Sequence, residues 1–123
     1  MNSFDVFVYG TLRKGGVNHF YLENSMCLLA DVWISGYCLY DYQHSYPFML
    51  KAADDAYVKG EVYRLDAKKM EELNILEDVE NKLYRLVYLE ENNFYTYLKY
   101  DDDLTGLNKI TGGDWLKYIH NIC

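Results

Sequence analysis

Phe4-Asp5-Val6-Phe7-Val8-Tyr9-Gly10-Thr11-Leu12-Arg13 is the stretch of sequence that decides the fold. Its first six residues are mostly β-branched or aromatic, as is typical of a strand, and Gly10 ends the run. Glycine lets the backbone turn tightly, so that successive N–H groups can converge on a carboxylate or an oxyanion. The stretch therefore predicts a strand followed by a turn that can bind an anion, with an ordinary strand-ending turn as the alternative. Its spacing does not match the GxxxxGK[ST] loop of nucleotide-binding proteins.

The rest of the chain reads as strands with few helices. Asp66 can cap a helix over about residues 67–77, where apolar residues recur near helical spacing. Pro47 cannot donate to a sheet, so its strand is expected at a sheet edge or to begin there. Strands are predicted over Cys27–Ile34, Tyr37–Tyr40, Tyr46–Leu50, Val58–Leu65, Tyr84–Leu89 and Phe94–Tyr100, and short helices over Phe20–Glu23 and after Gly113. This order predicts an α+β fold around a curved or closed sheet, in one domain over residues 1–123 because no linker or repeat divides the chain.

Charge and hydropathy narrow the classes of partner. The formal net charge of the 123 residues is −7, which repels a phosphate backbone and argues against nucleic acid as a partner. The first residues lack a basic segment, and no stretch reaches about 18 uninterrupted apolar residues. The sequence therefore predicts a cytoplasmic protein that does not bind a membrane.

Residues that could hold a metal are scattered. The three cysteines show no CxxC spacing, and free thiols are expected, with a Cys27–Cys38 disulfide as the alternative. The three histidines are too far apart in sequence to suggest a metal site, and the acidic run Asp101–Asp103 is expected to be a solvated loop. The sequence predicts no metal and no cofactor.

The loop after the first strand carries a family resemblance. Residues Tyr9–Arg13, with Gly15 and Asn18 downstream, resemble the signature loop of the γ-glutamylcyclotransferase-like superfamily. Further segments resemble pieces of the same family in the same order over nearly the whole chain: Tyr46–Met49, Val58–Tyr63, Leu73–Glu77, Tyr84–Arg85 and Gly113–Trp115. The resemblance is to the short, AIG2-like or γ-glutamylamine cyclotransferase type. It implies a small barrel-like mixed β-sheet with a few peripheral helices.

The resemblance also implies an activity. Such an enzyme cleaves a small-molecule γ-glutamyl amide by intramolecular cyclisation to 5-oxoproline, releasing an amine without a cofactor. The residues implied in substrate binding are Tyr9, Gly10, Thr11 and Leu12. Two alternatives stay open: a catalytically silent member that binds a γ-glutamyl or other small ligand, and an amidohydrolase that uses water.

The acid–base residue is also implied by the resemblance. The catalytic glutamate of the family's Leu-Asp-x-x-Glu-Gly motif falls on Glu77. The chain departs from the family pattern at Asn74, Asp78 and Leu86, where aspartate, glycine and arginine are usual. A carboxylate at Asp78 is expected to raise the pKa of Glu77 by like-charge repulsion. Glu61 is the rival acid.

Arg13 and Tyr84 are further candidates for substrate binding. Arg13 could hold a substrate carboxylate bidentately, with a solvated arginine after a turn as the alternative. The tyrosines of the predicted hairpin are interpreted as sheet packing with hydroxyls that reach water, the alternative being a pocket for the leaving amine. They are Tyr88, Tyr95, Tyr97 and Tyr100.

Overall fold

Residues 2–121 form eight strands and two α-helices in the computed structural model. In chain order they are β1 (Ser3–Val8), β2 (Met26–Ser35), β3 (Tyr37–Tyr42), β4 (Tyr46–Lys51), β5 (Tyr57–Asp66), α1 (Ala67–Leu76), β6 (Tyr84–Leu89), β7 (Phe94–Lys99), β8 (Asn108–Ile110) and α2 (Trp115–Asn121). A short 3₁₀ helix covers His19–Leu22, close to the helix predicted there. The six predicted strands beyond β1 are all present, whereas β8 was not predicted because three residues carry almost no periodicity.

The strands form two open sheets. The larger has the order β2-β5-β1-β7-β6 and the smaller the order β4-β3-β8. Gly36, with a φ of 86°, turns the chain between β2 and β3 so that β3 enters the second sheet. The α+β prediction is confirmed, but neither sheet of residues 2–121 closes on itself, which corrects the barrel-like expectation. Pro47 lies in β4, an edge strand, as predicted.

Strand β1 lies at the centre of the larger sheet and sets the position of the loop that follows it. It runs antiparallel to β5 and parallel to β7. Because parallel strands end at the same edge of a sheet, the pairing of Phe7 with Thr96 brings Tyr9 beside Tyr97. The hydroxyl of Tyr9 donates to the carbonyl oxygen of Tyr97 at 2.5 Å. The loop after β1 is thereby held against β7.

Helix α1 begins where the sequence predicts. The backbone N–H of Lys69 donates to the Asp66 carboxylate at 2.8 Å, so Asp66 is the N-cap. Met70 and Leu73 are buried in one core cluster with Val6 of β1, which places α1 against the larger sheet. Among residues 2–121, neither helix has the length and apolar composition needed to cross a membrane.

The cysteines that can be placed are free thiols. Cys27 is exposed on β2, whereas Cys38 is buried on β3. Cys123 lies outside the described residues.

Candidate active site

A pocket opens where the loop after β1 meets β4, β7 and the end of α1. Its interior volume is about 30 Å³, and about 340 Å³ when the open mouth is counted. The interior therefore holds roughly two water molecules. The pocket is lined by Phe7, Val8, Tyr9, Gly10, Thr11, Leu12, Tyr46, Pro47, Glu77, Tyr84 and Tyr97. Six of the seven predicted site residues lie here, all except Arg13.

The loop after β1 uses some of its backbone N–H groups within the loop itself. The N–H of Arg13 donates to the carbonyl oxygen of Gly10 at 3.1 Å, and the N–H of Asn18 donates to that of Thr11 at 2.9 Å. The side-chain amide of Asn18 also donates to Thr11 Oγ1 at 3.0 Å. Within residues 2–121, no group accepts a hydrogen bond from the N–H of Gly10, Thr11 or Leu12. Because these N–H groups have no acceptor in the described part of the protein, the loop is suited to bind an anion.

Gly10 is required by packing. A Cβ atom at this position would lie 2.7 Å from Cγ and 2.8 Å from Cδ of Pro47. Among the glycines of residues 2–121, Gly10 is not one of those with a positive φ. The reason for glycine here is therefore the close approach of β4, where the sequence suggested a special backbone angle.

Glu77 reaches the pocket from the C-cap of α1. Its N–H donates to the carbonyl oxygen of Leu73 at 2.8 Å. Glu77 is half-buried, and this burial raises its pKa to about 7. The expected like-charge effect of Asp78 is not the cause. The Asp78 carboxylate instead accepts a hydrogen bond at 2.8 Å from the side chain of Asn81.

The end of α1 also explains how Asp78 replaces a glycine. Asp78 has a φ of 53°, the left-handed conformation that glycine usually adopts and that aspartate tolerates. The N–H of Asp78 donates to the carbonyl oxygen of Ile75, and the N–H of Val79 to that of Asn74, each at 3.1 Å. These two bonds form a Schellman motif. The helix end, and with it the position of Glu77, is kept despite the substitution.

Four tyrosines line the pocket, and the hydroxyls of three of them donate to protein oxygens. The hydroxyl of Tyr84 donates to the carbonyl oxygen of Pro47 at 2.6 Å, and that of Tyr97 donates to Asn74 Oδ1 at 2.7 Å. Burial raises the pKa of Tyr9, Tyr84 and Tyr97 above its usual value, so all three stay protonated. The sequence analysis kept a pocket role for Tyr97 only as an alternative shared by four hairpin tyrosines, because only the parallel pairing of β7 with β1 distinguishes it from its neighbours.

Arg13 and Glu61 form a buried ion pair outside the pocket. Arg13 Nε lies 2.7 Å from Glu61 Oε2, and Arg13 Nη1 lies 2.9 Å from Asp114 Oδ1. The second oxygen of Glu61 accepts from the N–H of Lys14 at 2.8 Å. Arg13 and Glu61 are both buried. Their partners are therefore protein groups, and the carboxylate that faces the pocket is Glu77.

The charge of the pocket wall comes from one side chain among the described residues. Of residues 2–121, Glu77 is the one carboxylate that lines it, and no basic side chain does. The same residues contain no cluster of three or more histidine, cysteine, aspartate or glutamate side chains that could hold a metal ion. The arrangement is thus a proton acceptor with a pKa near neutrality, close to a row of backbone donors.

Comparison with known proteins identifies the family. The profile of the family described as "Gamma-glutamyl cyclotransferase, AIG2-like" matches residues 6–117. The "Gamma-glutamylcyclotransferase family protein YtfP" of Escherichia coli K12 is 35% identical over 112 residues, covering 90% of this chain and 95% of that protein. A Vibrio cholerae relative is 45% identical over 74 residues, which cover 60% of this chain and 62% of that protein. The crystal structure of PH0828 from Pyrococcus horikoshii has a TM-score of 0.76 at 30% identity, covering 97% of both chains. The chain therefore belongs to the AIG2-like gamma-glutamyl cyclotransferase family.

Proposed function

We propose that this protein cleaves a γ-glutamyl amide by intramolecular attack, releasing an amine and 5-oxoproline. The observation that carries the proposal is the half-buried carboxylate of Glu77, whose pKa is raised to about 7, in one pocket with the unpaired N–H groups of Gly10, Thr11 and Leu12. A base of this pKa is suited to take a proton from an ammonium group near neutral pH.

Proton transfer starts the reaction. The α-ammonium of a γ-glutamyl group holds its proton more tightly than Glu77 does, and the raised pKa of Glu77 reduces the cost of transferring that proton to the carboxylate. The freed nitrogen lone pair then attacks the γ-carbonyl carbon of the same molecule. Because both reacting atoms belong to one substrate, holding the chain bent supplies most of the entropic advantage.

The C–N bond of the amide breaks in the second half of the reaction. Attack forms a bond from the α-nitrogen to the γ-carbon and places negative charge on the carbonyl oxygen, which preorganised N–H donors stabilise. As the oxyanion collapses, Glu77 gives its proton to the departing amine, and the ring nitrogen then loses its second proton to Glu77. The amine takes this second proton too and leaves as an ammonium ion, so the carboxylate is restored and the cycle needs no other reactant.

The size of the pocket limits what it can bind. Its interior of about 30 Å³ opens into a mouth that brings the total to about 340 Å³, so the glutamyl group spans both. The loop N–H groups accordingly bind the glutamyl carboxylate or the oxyanion, and Tyr9 shapes the wall. The leaving amine lies toward the open mouth.

Glu77→Gln tests the assignment of the base. The swap is nearly isosteric but cannot accept a proton, so we expect turnover to fall by at least about 10²-fold while substrate binding is kept. Asp78→Asn is the matched control, because it removes the neighbouring charge and asparagine tolerates the left-handed φ at that position. Its turnover should stay near that of the wild type. Steady-state kcat and KM on a panel of γ-glutamyl amides give the comparison.

One outcome would assign the catalytic base to a different residue. If folded Glu77→Gln keeps wild-type turnover while folded Glu61→Gln is inactive, Glu61 is the base and the assignment of Glu77 is wrong.

A further inference from the structure

Three of the four tyrosine hydroxyls that line the pocket donate their protons to protein oxygens. Those of Tyr9, Tyr84 and Tyr97 donate to the carbonyl oxygens of Tyr97 and Pro47 and to Asn74 Oδ1, at 2.5, 2.6 and 2.7 Å respectively. A hydroxyl has one proton and two lone pairs. Once its proton is donated to the protein, each of these oxygens can only accept a hydrogen bond from a ligand.

A hydrogen bond to Asn74 links Tyr97 to α1, the helix that bears Glu77. Asn74 precedes Glu77 by three residues at the end of α1, so both side chains lie on one face of the helix. Tyr97 and Glu77 both line the pocket. Burial and then the charge of Glu77 raise the pKa of Tyr97, which agrees with a protonated hydroxyl near the carboxylate. Two acceptors, one neutral and one charged, therefore lie together on one side of the pocket.

We propose that the Tyr97 hydroxyl oxygen binds the α-ammonium of the glutamyl group beside Glu77, and that Asn74 is the positioning residue that makes this oxygen an acceptor. The inference rests on the proposed function. An ammonium group offers three N–H donors. Glu77 accepts the proton that is removed, and Tyr97 accepts a second N–H, which stops the nitrogen from rotating out of line with the γ-carbonyl.

The neutral side chain of Asn74 also keeps a second negative charge away from Glu77. Its amide oxygen is a neutral acceptor for the Tyr97 proton. An aspartate at this position would accept the same proton but add a negative charge within one helical turn of Glu77. Like charges raise a carboxyl pKa, so Asn74 leaves burial to determine the pKa of Glu77.

Two ligands that differ only by the ammonium group test the site. L-Glutamate and glutarate carry the same two carboxylates, and calorimetry measures their binding without turnover. Tyr97→Phe should weaken L-glutamate binding by about tenfold, the low end for a hydrogen bond to a charged group, and leave glutarate binding unchanged. Tyr118→Phe is the control, because its hydroxyl donates to Asp41 outside the pocket. It should leave both affinities unchanged.

The pH profile of kcat/KM tests the role of Asn74. In Asn74→Leu the Tyr97 proton becomes free to be donated to Glu77, which lowers the pKa of Glu77, so the acidic limb should move to lower pH. In Asn74→Asp the acceptor is kept, so the preference for L-glutamate should persist while the acidic limb moves to higher pH. A residue that only supports the fold would leave the acidic limb of Asn74→Leu in place, whereas the shift in Asn74→Asp tests the charge effect alone.

The outcomes separate this inference from the proposed function. If Tyr97→Phe weakens the binding of L-glutamate and glutarate equally, or weakens neither, the ammonium site is overturned. The proposed cleavage is then left standing. An acidic limb that stays in place in Asn74→Leu overturns the positioning role. Failure of the wild-type protein to bind L-glutamate more tightly than glutarate overturns the inference, whereas absence of turnover on γ-glutamyl amides would overturn the proposed function.

Discussion

At the scale of single residues, Glu77 is a carboxylate in surroundings that favour its neutral form. It is the C-cap of α1, where the helix dipole disfavours negative charge, and burial raises its pKa to about 7. A solvated carboxylate would be ionised at neutral pH and would be too weak a base for an ammonium proton. The environment that makes Glu77 suitable for the proposed chemistry is therefore one that costs stability.

The pH dependence of turnover follows from this environment. Because the base must be unprotonated, we expect kcat/KM to rise with pH through a midpoint near the pKa of Glu77, about 7. Asp78→Asn should keep this midpoint, since burial is what raises the pKa. A midpoint about one unit lower in Asp78→Asn would instead show that like-charge repulsion matters.

The same pKa predicts how stability depends on pH. A carboxyl with a raised folded-state pKa binds its proton more tightly when folded, so this contribution is fully present below the unfolded value of 4.5 and is lost as pH rises through about 7. Glu77→Gln removes the dependence. We expect urea unfolding to show the variant more stable than the wild type at about pH 8, with the difference shrinking toward about pH 4.5. The same difference at both pH values would contradict the raised pKa.

At the scale of elements, the contact between the loop after β1 and β4 is tighter than any sequence pattern shows. Gly10→Ala would place its Cβ 2.7 Å from the Pro47 ring. We expect it to cost about 1–3 kcal/mol of stability, as overpacking does, and to abolish L-glutamate binding because the loop must shift. Urea unfolding and calorimetry measure the two effects.

A second substitution provides the control for Gly10→Ala. Pro47→Ala removes the ring atoms that the new Cβ would meet, and adding it to Gly10→Ala should restore most of the stability and binding. A double variant no better than Gly10→Ala alone would mean that the backbone at Gly10, rather than the Pro47 ring, demands glycine.

The individual elements near the site could be predicted because their signals are local. Asp66 caps α1 as expected, and β1 ends at Val8, one residue before the predicted end at Tyr9. The role of Pro47 against Gly10 could not be predicted, since it depends on how β4 lies over the loop. The cause of the raised Glu77 pKa could not be predicted either. The sequence shows the neighbouring charge of Asp78 but not the burial of Glu77.

At the scale of the whole molecule, contacts between distant residues decide what each candidate does. Tyr9 and Tyr97 lie 88 positions apart, and Arg13 and Asp114 lie 101 apart. The family resemblance predicted the pocket loop and Glu77 from local motifs. It did not separate Arg13, which pairs with Glu61, from a substrate-binding arginine, since that requires knowing which strands are neighbours.

Arg13→Met tests the structural role of this ion pair. Removing the guanidinium leaves the buried Glu61 carboxylate without its cation, so we expect a loss of about 3–5 kcal/mol in the free energy of unfolding. Urea unfolding measures the loss. A rise in KM for a γ-glutamyl amide with stability kept would show instead that Arg13 binds the substrate.

The identity of the product tests the central claim most directly. The protein is incubated with γ-glutamyl amides in water enriched in oxygen-18, and the glutamyl product is weighed by mass spectrometry, with Glu77→Gln as the control for spontaneous reaction. Cyclisation takes no oxygen from water, so we expect unlabelled 5-oxoproline in equal amount to the released amine, and almost none from Glu77→Gln. Glutamate carrying one oxygen-18 atom would show hydrolysis, and intact substrate across the panel would show a binding protein; either result contradicts the proposed cyclotransferase.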